Sequence, residues 1–203
     1  MTTIINGSSP SITFSDATTQ ATAVPAPSAI GQVPFSTDGS TYTPTAKISS
    51  GTSVASTSGN SITFSSIPSW VKRVTVMFNG VKTSGSSIPI ILLQTSGGTV
   101  STGYLSYGWS NNASSSDGNT TGFYLAGIWA TSSALNGMCS LTLLNPSTNL
   151  WVENSVAGGG TSSANKSISM GNVTLSSALT GIVIQAANGT DTFSAGSINI
   201  LYE

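Results

Sequence analysis

Arg73-Val-Thr-Val-Met-Phe78 is the stretch that decides the fold class. Val74, Val76 and Phe78 fall on one side of an extended chain and Arg73, Thr75 and Met77 on the other. This is a period of two, and β-branched residues favour a pleated strand. Alternation or a short β-rich run recurs at 61–65, 88–95, 99–107, 122–129, 138–144, 149–156, 166–175, 180–185 and 197–202, and no segment carries a helical stripe. Turn chemistry stands between the runs at Asn79-Gly80, Gly97-Gly98, Asp117-Gly118, Asn136-Gly137, Asn145-Pro146, Gly158-Gly159-Gly160 and Asn188-Gly189. Many short strands with no helices between them predict an all-β fold, an antiparallel, jelly-roll-like β-sandwich over 59–203, long enough to bury a real core.

Two runs refine that picture. Ile88-Pro-Ile-Ile-Leu-Leu93 is apolar on both faces, which predicts a strand covered on both sides. Pro89 donates no ladder hydrogen bond, so the run reads either as an edge strand at a subunit interface or as the start of a buried strand. Cys139, Leu141 and Leu143 share one face, which makes Cys139 a small buried hydrophobe.

Residues 1–58 differ in kind. They hold Pro10, Pro25, Pro27, Pro34 and Pro44, five of the eight prolines, and apolar residues too scattered to close a core. Yet Ile4, Ile5, Ile12, Phe14, Ile30, Val33 and Phe35 are too many for a solvated linker. The segment is expected to be an extended anchor and connector that buries these side chains against copies of the same chain or a larger assembly.

Composition excludes several functions. Only 5% of the residues are charged, against about 25% in ordinary domains, and Ser plus Thr make up roughly a third of the chain. A formal charge of −1 with Arg73 as its one arginine cannot supply the row of cations that nucleic acid requires. With no histidine and one cysteine, the chain lacks the commonest general base, thiolate metal cages and an internal disulfide framework. No catalytic residue, metal or cofactor is expected. The first residues carry no positive n-region and no apolar run nears the ~20 residues of a membrane span, so synthesis in the cytoplasm without membrane insertion is expected.

Four constellations could carry chemistry. Ser69-Trp-Val-Lys72 matches a Ser-x-x-Lys pair in form, but in a strand context positions three apart point to opposite faces and the two groups would not meet. For the paired carboxylates of glycoside cleavage the globular part offers only Asp117, Glu153, Asp191 and Glu203, and Asp117 and Asp191 sit where turns recruit Asp for its backbone hydrogen bonds. The triple glycine at 158–160 lacks the Gly-Lys-Ser/Thr of a phosphate loop. The fourth is a group of aromatic and amide residues: Tyr104, Tyr107 and Trp109 lead into Asn111, Asn112, Asp117 and Asn119. Rings that stack on C–H faces beside amides that bond hydroxyls are what a neutral sugar needs, whereas the plainer reading is two packed rings and a polar loop.

The wording of the sequence adds a resemblance. Ser11-Ile-Thr-Phe-Ser-Asp-Ala-Thr-Thr-Gln-Ala-Thr-Ala23 resembles a segment that recurs near the start of bacteriophage tail-fibre and other virion-appendage proteins. Ala29-Ile-Gly-Gln-Val-Pro-Phe-Ser-Thr-Asp-Gly-Ser-Thr-Tyr42 is similar to the connector that follows it there. Ser66–Gly80 and Asn188–Glu203 resemble the globular C-terminal domain of the same class. The resemblance implies a homotrimeric β-rich fibre or spike on the virion, attached through its N-terminal stretch to other virion proteins. Its C-terminal domain would contact a host glycan or outer-membrane component. It carries no active-site motif. The chain is short, with almost no shaft, so a capsid decoration or head-fibre protein of purely architectural role is the competing expectation, and a carbohydrate-binding module a third.

Overall fold

The structure, a computed structural model, describes residues 48–111, 117–158 and 166–203, with the backbone alone at Asp117 and in five short strands within 1–47. The chain divides into two units, Met1–Lys47 and Ile48–Glu203. In the first, β1 (Ile4–Ile5), β2 (Ile12–Thr13) and β3 (Thr19–Gln20) form an antiparallel sheet in chain order, and β4 (Gln32–Phe35) pairs antiparallel with β5 (Thr43–Ala46). Of the predicted anchor residues, Ile4, Ile5, Ile12, Val33 and Phe35 lie on these strands, while Phe14 and Ile30 fall outside the described residues.

The second unit holds the remaining strands. They are β6 (Ser49–Ser50), β7 (Val54–Ala55), β8 (Ser61–Ser65), β9 (Arg73–Thr83), β10 (Pro89–Thr95), β11 (Gly98–Thr99) and β12 (Leu105–Ser110), then β13 (Asp117–Asn119), β14 (Phe123–Tyr124), β15 (Leu135–Asn145), β16 (Leu150–Gly158), β17 (Lys166–Thr174), β18 (Gly181–Ala186) and β19 (Phe193–Tyr202). They make two antiparallel sheets. The larger runs β13-β12-β17-β16-β15-β9-β19-β6, with β7 also on β19; the smaller runs β11-β10-β18-β8, with β14 also on β10. No helix occurs among the described residues, and so none long and apolar enough to cross a membrane.

The core lies between the sheets, as the alternation of 73–78 demands. Val74, Val76 and Phe78 of β9 are buried beside Cys139 and Leu141 of β15 and Ile198 and Ile200 of β19. From the smaller sheet Ile91, Leu93, Ile182, Ile184, Ile62 and Phe64 belong to the same cluster, in register across β10, β18 and β8. Burying each such side chain contributes roughly 1.5–3 kcal/mol, which is what holds two sheets of so little charge together.

Four details depart from the sequence reading. The units divide at Lys47/Ile48 rather than after 58, because β6 and β7 add onto β19 and Ser56 is buried with its amide and hydroxyl bonded to Gly196 O and Ala195 O. Asn79-Gly80 and Asn136-Gly137 do not turn the chain; they are irregularities inside the long strands β9 and β15. Gly80 (φ +63°) meets Gly196 (φ +94°) of β19, where an added Cβ would lie 2.5 Å from the Gly80 backbone. Bulges need the same positive-φ residue as turns, so one dipeptide serves both. Asp117-Gly118, read as a turn, is part of the edge strand β13. Ser69 and Trp70 form a turn rather than a strand, closed by Val71 N–H to Pro68 O at 3.1 Å.

The doubly apolar run behaves as its composition requires. Ile90, Ile91, Leu92 and Leu93 are all buried. β10 is flanked by β18 on one side and by β11 and β14 on the other, so it is not the edge strand that one reading of Pro89 allowed. Pro89 stands at its first residue, the other position a sheet tolerates.

Candidate interaction surface

The predicted aromatic and amide cluster is separated by the fold. Tyr104 is 1% exposed. Its hydroxyl accepts the Leu93 N–H at 2.8 Å and donates to Val100 O at 3.1 Å, and its ring meets Phe123 edge-on at 4.9 Å. It pins the chain where it crosses from β11 in one sheet to β12 in the other, and burial pushes its phenol up to about 12. Tyr107 and Trp109 point the opposite way, half-exposed on the outer face of the larger sheet.

Among the described residues, Asn111 and Asn119 do not join them in a rim. Asn111 Oδ1 accepts the Lys166 N–H at 2.9 Å and so ties β12 to the start of β17. Asn119 Oδ1 accepts the Thr121 N–H while its Nδ2 donates to Gly122 O, a local turn that shapes its own loop. Asn112 lies outside the described residues, and of Asp117 the backbone is described, paired with Gly108.

Among the described residues, what lies beside the exposed rings across β17 is apolar. On β12, β17 and β16 the usual amphipathic pattern is inverted: Ser106, Ser110, Ser167, Ser169 and Ser155 are buried, whereas Leu105, Tyr107, Trp109, Ile168, Met170 and Val156 face out. The cause lies inside. The segment after β14 lies so close to β12 that a Cβ on Gly108 would come within 2.4 Å of Ala126 O, and one on Gly127 within 2.6 Å of the Trp109 backbone. Only glycine and serine fit there. The serines also serve the segment's backbone, Ser106 Oγ accepting the Tyr124 N–H at 2.9 Å and Ser110 Oγ the Gly127 N–H at 3.1 Å.

Register assembles the outward residues into one patch. Trp109, Ile168, Val156, Met138 and Met77 are successive cross-strand partners over β12, β17, β16, β15 and β9. The next row is Tyr107, Met170, Asn154, Ser140 and Thr75. Leu105, Tyr107, Trp109, Met138, Val156, Ile168 and Met170 are each between 39% and 61% exposed. The Tyr107 ring lies over Gly118 of β13. Sequence reasoning found Tyr107 and Trp109 but missed Met138, Val156, Ile168 and Met170. The signal that could have found them is the Ser-Ile-Ser-Met alternation of 167–170, in which either set could be the inward one.

Towards the far end of the same face, Ile48, Arg73, Thr75, Ser140, Leu201, Tyr202 and Glu203 line a shallow depression. The one arginine is engaged there with the Glu203 carboxylate.

Beneath the patch, on the inner side, a carboxyl is buried. Glu153 Oε1 accepts from Ser169 Oγ at 2.8 Å and from the Cys139 thiol at 3.4 Å, and Ser155 and Ser169 share a hydrogen bond at 2.6 Å. Glu153 Oε2 is buried without a hydrogen-bond partner. Burial drives this carboxyl up to about 7, against the pull of the Ser169 and Cys139 hydrogen bonds. Burial, with the neighbouring carboxyl, pushes the Cys139 thiol well above its ordinary range, so it is a packed group and not a nucleophile. Asp191 is a turn residue, accepting from Ser87 N–H and Asn188 Nδ2. Among the described residues no three of His, Cys, Asp and Glu gather in a metal-holding group. No protein-family model, curated protein or solved structure matches the chain.

Proposed function

We propose that this chain is a structural subunit of a bacteriophage particle, a short fibre or spike. Its N-terminal unit anchors it and its C-terminal sandwich contacts the host surface. The observation that carries the reading is the division at Lys47/Ile48. The described strands before it are two to four residues long, and after it runs a hydrophobic core cluster from Ile62 to Ile200. A unit with a core of its own can project from a particle while a unit of short pairings docks on a neighbour. The segments at 11–23 and 29–42, which resemble virion-appendage sequences, fall in the unit assigned to docking.

The role proposed is mechanical and adhesive, not enzymatic. Deleting residues 1–45 tests the division of labour. The truncated protein is expected to keep its β-sheet circular dichroism and its melting temperature within about 3 °C, and to vanish from purified particles. A truncated chain that unfolds, or one still incorporated, would overturn the assignment.

A second reading, decoration of the capsid without host contact, is favoured by one observation. Asn111 is bonded across to Lys166 and Asn119 within its own loop, and among the described residues the exposed rings are followed across the sheet by Ile168, Met170 and Val156. Copy number separates the two: a few symmetric sets at the tail for adhesion, hundreds over the head for decoration.

A further inference from the structure

We infer that the outer face of the larger sheet, centred on the row Trp109, Ile168, Val156 and Met138, is the surface on which a second copy of this chain docks. The inference rests on the reading of the chain as a repeated structural subunit and names the face through which copies join.

Area is the first argument. Seven side chains about half exposed leave a contiguous apolar surface on the order of 700 Å². Folded monomers seldom expose more than about 300–600 Å² in one patch, and a stable interface covers about 800 Å² on each partner. The patch therefore exceeds what a solitary domain carries and nearly suffices for an interface before any rim is added.

Chemistry selects the occupant. A neutral sugar would need donors and acceptors beside the rings, yet the side chains in register with Tyr107 and Trp109 are Met170 and Ile168. A lipid surface would need a basic flank, and the cations on this face of the strands are Lys166 and Lys82, isolated from each other on β17 and β9, and Arg73, already engaged with Glu203. A second copy needs neither. None of the residues on the patch is charged, so two such faces meet without repulsion or a stranded ion. Both are twisted sheets of the same hand, which pack face to face at a small angle with side chains interdigitated about 10 Å apart. The two aromatic rings and two methionines supply large anchors and adaptable filler for such a seam.

Light scattering of the full-length chain tests it. The parent is expected to run at a multiple of its 20.4 kDa mass. Val156→Lys should shift it to the single-chain mass, with the association constant lowered about a hundredfold. Its far-UV circular dichroism should be unchanged, because Val156 points away from the core. Met170→Gln, a gentler change, should weaken association about tenfold and guards against a lysine variant that fails to fold. Leu144→Lys, exposed and outside these rows, should leave the mass unaltered. A parent oligomer that survives both patch variants would move the interface elsewhere and leave the repeated-subunit reading standing. A parent that is a single chain at tens of micromolar would overturn the inference and the repeated-subunit reading together.

Discussion

Replacing Glu153 by Gln should make the protein more stable at pH 8 by about 1–3 kcal/mol and nearly indifferent to pH, while leaving it within about 1 kcal/mol of the parent at pH 5. The sign follows from where the proton sits. In the unfolded chain the carboxyl titrates near 4.5, and in the sandwich near 7. Below pH 4.5 both states hold the proton and stability does not respond to this group. Between 4.5 and 7 the unfolded state has lost the proton that the folded state keeps, so rising pH favours unfolding. Above 7 both are ionised, and the full penalty of a charge with one unbonded oxygen in the core is present, roughly 3 kcal/mol. The amide of Gln carries no charge to desolvate, and its oxygen still accepts from Ser169. Denaturant titrations of parent and variant at pH 5, 6, 7 and 8 measure the difference directly. Two parallel curves would mean that the carboxyl is solvated in solution and that the serine-lined layer is looser than described.

The second large effect is at Tyr104. Tyr104→Ala is expected to lose at least about 4 kcal/mol, a substantial part of the stability of any single domain. The truncation removes a ring packed edge-on against Phe123 and leaves the buried Leu93 N–H without its acceptor. Tyr104→Phe isolates the hydroxyl and should cost about 1–3 kcal/mol, the penalty for orphaning that amide. A surface residue that met a ligand would give a different pattern, with ligand affinity falling and stability unmoved. A Tyr104→Phe protein as stable as the parent would therefore remove Tyr104 from the crossing between the sheets.

How much of this was legible in the sequence depends on what covers each strand. β9 and β8 declare themselves, because their inner faces meet large apolar partners and so Val74, Val76 and Phe78, or Ile62 and Phe64, are the inward set. β10 declares itself too, since a run apolar on both faces has nowhere exposed to go. β12 and β17 mislead for a definite reason. On the inner face of β12 lies main chain, the Ala126-Gly127 backbone packed against Gly108, and the inward serines of β17 bond to Ser110, Ser155 and Glu153 rather than to apolar side chains. Alternation alone shows two faces and does not tell which is covered. The 99–107 run misleads in a similar way, for it is two strands in different sheets, joined where Tyr104 turns inward. Gly80 and Gly137 were legible as positive-φ positions but not as bulges, because the difference lies in the partner strand rather than in the dipeptide.

The candidate site was half legible. Tyr107 and Trp109 were visible as an aromatic pair, and the structure keeps them exposed side by side on one face. Their companions arrive through register from three other strands, an arrangement that only the pairing of β12, β17, β16 and β15 creates. Register also changes the chemistry of the pair, from rings beside amides to rings within an apolar sheet.

A density map of the assembled protein, at a resolution that shows side chains, bears most directly on the account. It should show neighbouring copies meeting across the row of Trp109, Ile168, Val156 and Met138, with those side chains interleaved and no water layer between. Copies joined through any other surface, with that row open to solvent, would contradict it.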